Sequence, residues 1–155
     1  MIIAHIVNFK IIFSNMNTLR PFHLAIPVSN LEANRIFYKD VLGFEEGRSS
    51  DHWVDFNFFG HQLVIHLNEQ AKTNNDSNPV DGQNVPVPHF GVVLTQEVFS
   101  TFAERLRALK IEFIIEPYTR FKGLPGEQST MFFKDPSGNA LEFKAFNNLD
   151  QLFAT

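Results

Sequence analysis

Residues 132–143 read Phe-Phe-Lys-Asp-Pro-Ser-Gly-Asn-Ala-Leu-Glu-Phe, and this stretch decides the fold. Its Asp-Pro-Ser-Gly segment, residues 135–138, is typical of a tight turn, because all four residue types favour turn backbone. The mainly apolar residues 140–146 that follow predict a last β-strand. Glu142 lies within this strand, and a buried carboxylate is costly unless it is paired or binds a metal. The alternative is an edge strand on which Glu142 and Lys144 both face solvent.

Upstream of this turn, one pattern of elements occurs twice. The capping box Ser29-Asn30-Leu31-Glu32 predicts a helix that ends at Gly43, and Thr95 predicts the cap of a second helix that runs to about Leu109. Each helix lies between one strand and three further strands. The predicted strands are residues 22–28, 44–49, 53–59 and 62–67 in the first half and 90–94, 111–115, 130–133 and 140–146 in the second. The order βαβββ is therefore repeated, as a pattern rather than as an identical sequence.

These units predict one α+β domain at residues 21–147, made of modules at 21–68 and 88–146. Residues 71–88 are polar and rich in Asn, Asp and Pro, so we interpret them as a linker. Residues 1–20 form a leader of doubtful status. Its apolar part is too short and too interrupted to span a membrane. Met16 is an alternative to Met1 as the first residue of the protein.

Composition narrows the class of protein. A net charge of −4 argues against nucleic acid as a partner, because phosphate binding needs a basic surface. The chain has no Cys, which fits a reducing, cytoplasmic location and removes every thiolate metal site. No membrane partner is expected. A bound metal would have to be held by His and carboxylate side chains.

Two of the six histidines stand out because they occupy equivalent places in the two units. His23 lies in the first strand of the first unit and His89 begins the first strand of the second. If the units pack side by side, the two strands become neighbours and both side chains can face inward. On spacing alone a hydrogen-bonded core histidine remains the alternative for each. The other histidines are assigned to the leader (His5) or to turns (His52 and His61), apart from His66.

Two imidazoles and one carboxylate form a ligand set with a known preference. His23, His89 and Glu142 together would make the facial arrangement typical of non-haem Fe(II) with open positions. Mn(II), Ni(II) and Zn(II) are compatible with the same three donors. We therefore predict one divalent metal ion per site, with Fe(II) favoured.

These residues resemble a known family. The repeated βαβββ order, the first-strand His, the stretch Pro-His-Phe-Gly-Val-Val-Leu at 88–94 and the Asp-Pro-x-Gly turn before a strand Glu are similar to the vicinal oxygen chelate superfamily, which includes glyoxalases, bleomycin resistance proteins and extradiol dioxygenases. The resemblance covers residues 21–146. Within the superfamily, Phe-Gly-His-Gln at 59–62 resembles a group of predicted extradiol-type dioxygenases.

The resemblance implies a glyoxalase-like fold, in which the modules form a cup-shaped mixed sheet with a metal at its mouth. It makes His23, His89 and Glu142 the metal ligands. Glyoxalase I would add a ligand on the fourth strand, but counting from Gly60 as from Gly138 places Val64 there, and Val64 cannot bind a metal. This departure favours a dioxygenase-like site with three ligands.

Three further residues are candidates for roles beside the metal. His66 lies two residues beyond Val64 on the same strand face, and we predict it as a catalytic residue, with a fourth ligand or a structural histidine as alternatives. Arg120 and Lys122 precede a Gly-rich segment and are predicted to bind an anionic substrate, with solvated surface charges as the alternative.

The function that fits best is a non-haem Fe(II) dioxygenase acting on a small vicinal-diol or catechol-like substrate. The first alternative is a metal-dependent, glyoxalase-like isomerase or lyase that works without O₂. The second is a non-catalytic protein that binds a drug or other small molecule. The expected partner is a small-molecule substrate. Members of the superfamily commonly pair, so a homodimer is compatible with the resemblance.

Overall fold

The computed structural model describes residues 20–72 and 76–153, so the predictions for residues 1–19, including His5, lie outside its described part. Eleven strands and two α-helices follow one another in this part of the chain, with a π-helical turn (Phe37–Val41) after α1 and a 3₁₀ turn (Leu149–Phe153) at the end. In chain order they are β1 (His23–Val28), α1 (Leu31–Ile36), β2 (Glu45–Ser49), β3 (Trp53–Phe58), β4 (His61–Leu67), β5 (Ser77–Val80), β6 (Gln83–Pro86), β7 (His89–Phe90), β8 (Val93–Leu94), α2 (Gln96–Ala108), β9 (Phe113–Arg120), β10 (Gln128–Lys134) and β11 (Ala140–Ala145).

The strands form two main sheets of matching topology. The first has the order β1-β4-β3-β2, and the second has the order β7-β11-β10-β9, with β8 also paired to β11. In both sheets the first strand of the unit runs parallel to its neighbour, as β8 does to β11, and the other pairs are antiparallel. The predicted α+β class and the repeated βαβββ order are confirmed.

One hydrophobic core lies between the two sheets. It takes Ile26 and Val28 from β1 and Leu141 and Phe143 from β11, and the helices pack against the same cluster. Polar contacts also join the modules, because the buried Tyr38 hydroxyl donates to Asp135 Oδ2 over 2.9 Å. The two modules therefore pack through their core-facing sides, and burying this shared apolar surface is the main force that holds them together.

The other face of each sheet points away from this core, because side chains alternate along a strand. On β1, Leu24 packs against the core and His23 is exposed on the opposite side. On β11, Leu141 and Phe143 belong to the core and Glu142 lies on the opposite side. We call these the outer faces of the first and second sheets.

The linker contains structure that the sequence prediction missed. β5 and β6 pair as a hairpin within residues 71–88. Asp81 and Gly82 form its turn, both with positive φ (49° and 74°), as a two-residue hairpin turn requires. Val85 packs with Ile115 and Phe132 on the outer face of the second sheet. The hairpin therefore covers part of that face.

Several boundaries also differ from the predictions. The N-cap of α1 is Asn30, whose Oδ1 accepts from Ala33 N over 2.9 Å, whereas Ser29 contacts Ser137 instead of closing a capping box. Thr95 is confirmed as the cap of α2, but Leu109 is 49% exposed and lies off its apolar face. The predicted strand at 90–94 is interrupted at Gly91, and β9 and β10 extend to Arg120 and Lys134.

No helix in the described part of the chain is both long and apolar enough to cross a membrane.

Candidate metal centre

His89 is fixed by the hairpin that the linker forms. Its Nδ1–H donates to the backbone carbonyl of Pro86, at the end of β6, over 2.6 Å. The rings of His89 and Phe132 also pack in a T-shaped arrangement, with centroids 5.2 Å apart. A proton on Nδ1 leaves Nε2 as the ring nitrogen whose lone pair is available to a metal.

Glu142 is buried in the middle of the second sheet. β11 lies between β10 and the β7 and β8 strands, and Glu142 is only 4% exposed. The Thr130 hydroxyl donates to Oε1 over 2.7 Å, and Lys144 Nζ lies 3.3 Å from Oε2. The prediction of a buried, paired carboxylate is confirmed, and the solvent-exposed edge strand is excluded.

Gly91 allows the strands on which these side chains stand to approach each other. A Cβ at Gly91 would lie 1.5 Å from the carbonyl oxygen of Glu142, far inside van der Waals contact. Only a residue without a side chain fits there. The glycine therefore sets the distance between the strand that begins at His89 and the strand that holds Glu142.

His89 and Glu142 form a close pair on the outer face. His89 Nε2 lies 3.1 Å from Glu142 Oε2. The hydrogen bond to Glu142 raises the pKa of His89, against the effect of burial. Burial raises the pKa of Glu142, but hydrogen bonds from His89 and Thr130, together with the charge of Lys144, lower it on balance. His89 Nε2 and Glu142 Oε2 are two donor atoms that could hold a divalent cation.

His23 is not brought to this pair. It is exposed on the outer face of the first sheet, where its Nδ1 lies 2.7 Å from Gln62 Oε1. Within residues 20–72 and 76–153, no three or more His, Asp or Glu side chains are grouped so as to hold a metal. β1 and β7 stand at the edges of separate sheets, so the two first strands do not pair with each other in the described part of the chain.

The strand registers match the two modules residue by residue. In the first sheet His23 pairs with Gln62, and in the second His89 pairs with Ala140. Two residues further along each strand, Val64 corresponds to Glu142. The buried Val64 therefore takes the place of a second carboxylate, as counting from the two turn glycines predicted.

The remaining candidates lie at different points of the two outer faces. His66 is exposed on the first sheet, four residues along β4 from Gln62 and on the same face as His23. Arg120 ends β9 on the second sheet and is only 5% exposed, with Nε and Nη2 lacking any hydrogen-bond partner. The surface alternative for Arg120 is therefore excluded. Lys122 is exposed in the turn after β9.

Sequence reasoning missed the residues that position the pair. Thr130, Lys144 and the Pro86 carbonyl all contact it. Thr130 and Pro86 were not singled out, and Lys144 was considered only as a neighbour on a solvent-exposed edge strand. The Asp-Gly dipeptide at 81–82 was the one available signal for the hairpin that carries Pro86. The partnership of Thr130 with Glu142 depends on the antiparallel register of β10 and β11, which no local pattern shows.

Comparison with known proteins gives one family and a set of similar structures. Residues 20–143 match the Glyoxalase/Bleomycin resistance protein/Dioxygenase superfamily. A glyoxalase/bleomycin resistance protein/dioxygenase from Alicyclobacillus acidocaldarius is 31% identical, with a TM-score of 0.75, over 89% of this chain and 99% of that chain. No curated protein matches.

Two more distant structures share the fold. A lactoylglutathione lyase from Agrobacterium tumefaciens is 20% identical, with a TM-score of 0.62, over 90% of this chain and 99% of that chain. The fosfomycin resistance protein FosX from Listeria monocytogenes is 17% identical, with a TM-score of 0.59, over 88% of this chain and 98% of that chain. Structures that differ this widely in name share the architecture, so the chemistry has to be argued from the site.

Proposed function

Because the chain belongs to the Glyoxalase/Bleomycin resistance protein/Dioxygenase superfamily, we propose that it is a divalent-metal-dependent enzyme that works as a homodimer. His89 and Glu142 of one chain and His23 of a second copy would hold the metal. The observation that carries the proposal is the 3.1 Å contact between His89 Nε2 and Glu142 Oε2. Superfamily members are mostly metal-dependent enzymes, and these two donors suit such a metal.

The chemistry of the two donors fits a metal. His89 presents Nε2 because its Nδ1–H donates to the Pro86 carbonyl, and Glu142 is ionised and accepts a hydrogen bond from Thr130. Metal-binding histidines in general donate their other ring N–H to an oxygen, which fixes the tautomer and the ring orientation. With no Cys in the chain, His and carboxylate donors also suit Fe(II), Mn(II), Ni(II) or Zn(II) rather than a thiolate site.

The geometry of the core supports a second chain as the source of His23. The two sheets share one core, and His23 and Glu142 lie on the two outer faces that point away from it. A single chain therefore keeps them on opposite sides of its own core. In a symmetric dimer, the outer face of the first sheet of one copy can meet the outer face of the second sheet of the other. Each dimer would then have two equivalent sites.

The reaction that we propose is Fe(II)-dependent dioxygenation of a small vicinal-diol or catechol-like substrate. Two histidines and one carboxylate are the donors of non-haem Fe(II) oxygenases and leave coordination positions open. Val64 stands where a fourth donor could have been, so this set stays at three. When bound, the metal would hold and polarise the two adjacent substrate oxygens and O₂.

The chain's own residues would then bind and orient the substrate. Arg120 is buried beside the rings of Tyr118 and Phe121, with two of its nitrogens, Nε and Nη2, unpaired, so an anionic group on the substrate would satisfy it. Lys122, in the turn after β9, adds a second positive charge two residues after Arg120. His66 would be brought to the site by the same partner chain as His23, where its imidazole could accept a proton from the substrate.

Oxygen uptake tests this proposal. Metal-free protein would be loaded anaerobically with Fe(II) and mixed with a panel of catechols with and without a carboxylate group, beside Glu142→Gln and the control Thr119→Val. The proposal expects oxygen uptake by the wild type and the control, and little by Glu142→Gln. Protein that holds one iron per site but takes up no oxygen with any catechol would overturn the dioxygenase assignment and leave the metal site standing.

A further inference from the structure

A line of polar side chains crosses the outer face of the first sheet and ends at His23. Arg48 Nη2 donates to Asp55 Oδ2 over 3.2 Å, and Gln62 Nε2 donates to the same oxygen over 3.2 Å. Gln62 Oε1 then accepts from His23 Nδ1 over 2.7 Å. Neighbouring strands β2, β3, β4 and β1 each supply one member. A continuous path of hydrogen bonds therefore runs across the whole sheet.

Asp55 decides which way the Gln62 amide points. The carboxylate of Asp55 only accepts hydrogen bonds, and Asp55 is 8% exposed, so it needs donors from the protein. Gln62 satisfies this need only with its NH₂ group towards Asp55. The opposite orientation would set two acceptor oxygens against each other. The amide oxygen of Gln62 is therefore left facing His23.

The orientation of Gln62 in turn decides where the proton on His23 lies. An amide oxygen cannot donate, so the bond to His23 requires a proton on Nδ1. We propose that Asp55, acting through Gln62, holds neutral His23 as the Nδ1–H tautomer and leaves the lone pair on Nε2. Gln62 and Asp55 are thus positioning residues for a nitrogen that is otherwise free to exchange between two tautomers.

The second module fixes the Nδ1–H tautomer of its histidine in a different way. His89 Nδ1 donates to the carbonyl of Pro86, a backbone oxygen that cannot turn round. The side-chain amide of Gln62 can turn, and the hydrogen bond to Asp55 prevents this. Asp55 therefore fixes the acceptor of His23, as the backbone fixes the acceptor of His89. Both modules therefore present Nε2 to their outer faces. The tautomer of His23 is a property of the metal-free chain and does not depend on the proposed reaction.

The test is a nitrogen NMR measurement on metal-free, ¹⁵N-labelled full-length protein at a pH where the histidines are neutral. Multiple-bond ¹⁵N–¹H spectra distinguish a protonated Nδ1 from a protonated Nε2, and His23→Gln assigns the signals. The wild type is expected to show His23 chiefly as Nδ1–H. His66 is the internal reference, because it is exposed on the same sheet face.

Three variants separate a positioning role from a structural one. Gln62→Leu removes the acceptor and is expected to change the tautomer ratio of His23 about fivefold or more towards Nε2–H, the effect of one ordinary hydrogen bond. Gln62→Glu keeps an acceptor for His23 but sets a second carboxylate beside Asp55, so it is expected to keep Nδ1–H while lowering the stability of the protein. Asp55→Asn frees the amide of Gln62 to turn and is expected to give a mixture. The His66 signals should stay unchanged in all three.

Two results would overturn the inference. One is wild-type His23 with the tautomer ratio of His66, and the other is a Gln62→Leu protein that folds and keeps His23 as Nδ1–H. Loss of stability without a change of tautomer would also mean that Gln62 only supports the sheet. None of these readouts involves a metal, so the inference can fail while the proposed metal site stands, or hold while that site fails.

Discussion

His89 Nε2 and Glu142 Oε2 lie 3.1 Å apart on adjacent parallel strands. Gly91 allows the backbone after His89 to pass close to the backbone of Glu142. Pro86 and Thr130 hold the far side of each group, so neither can turn away without losing a hydrogen bond. The pair supplies two of the three donors of the proposed site. Its chemistry, and the placement of His23 on the opposite side of the core, lead to the predictions below.

The stability of the metal-free protein should depend on pH through this pair. The folded-state pKa of His89 is raised from its ordinary value of 6.5, so its contribution is full below pH 6.5 and is lost as pH rises through the folded-state pKa. The pKa of Glu142 is lowered from 4.5, so its contribution is present above pH 4.5 and is lost as pH falls through the folded-state pKa. The pair should therefore stabilise the folded protein most between pH 4.5 and pH 6.5.

Urea unfolding with a chelator present, at a series of pH values, measures this dependence. The difference in unfolding free energy between wild type and His89→Ala should be largest between pH 4.5 and 6.5 and should shrink on both sides. His66→Ala is the matched control, because His66 is exposed. A difference that stays constant from acid to alkaline pH would show that the pair is not charged in the folded state.

Thr130→Val should weaken metal binding without unfolding the protein. Valine has nearly the shape of threonine but cannot donate to Glu142 Oε1, so the carboxylate loses one of the contacts that fix it. Loss of such a partner of a metal ligand lowers affinity about 10-fold or more. Competition with a chromophoric chelator measures the change. Thr119→Val, which leaves Glu142 untouched, should keep wild-type affinity, and equal affinity in both variants would contradict the role of Thr130.

Gly91→Ala should destabilise the protein by about 3 kcal/mol, because the added Cβ would meet the backbone of Glu142 and force two strands apart. Chemical denaturation measures this loss, and metal affinity should fall with it. Gly47→Ala is the control, since its Cβ would lie at an ordinary 3.4 Å from Asp55 Cβ. Its effect should stay within about 0.5 kcal/mol. A tolerated alanine at Gly91 would mean that the strands are further apart.

Arg120→Met should stabilise the ligand-free protein by about 1 kcal/mol, since methionine fills a similar space and removes unpaired buried N–H groups. The same change should weaken the binding of catechols that carry a carboxylate more than that of neutral ones. Arg107→Met, at an exposed ion pair with Glu116, is the control and should change stability by less than about 0.5 kcal/mol. A strongly destabilised Arg120→Met protein would show that Arg120 has a structural role instead.

The sequence predicted the repeat, both helices and the buried state of Glu142, because these depend on local period, caps and turn residues. It did not predict that His23 and Glu142 lie on opposite sides of one core, since local patterns do not say which sheet faces meet. The choice of Asn30 over Ser29 as helix cap has a similar cause. Ser29 contacts Ser137 from the other module, a partner 108 residues away. Non-local contacts decided both points.

We propose that each metal site combines His23 of one chain with His89 and Glu142 of another. The most direct test mixes His23→Ala and Glu142→Ala chains, carrying two different tags without histidine, and isolates the heterodimer. One of its two sites then lacks both side chains and the other has all three ligands. The heterodimer is expected to bind about one metal ion, and either variant alone is expected to bind almost none. A heterodimer that binds no metal, beside a wild type that binds one per chain, would show that each chain builds its site by itself.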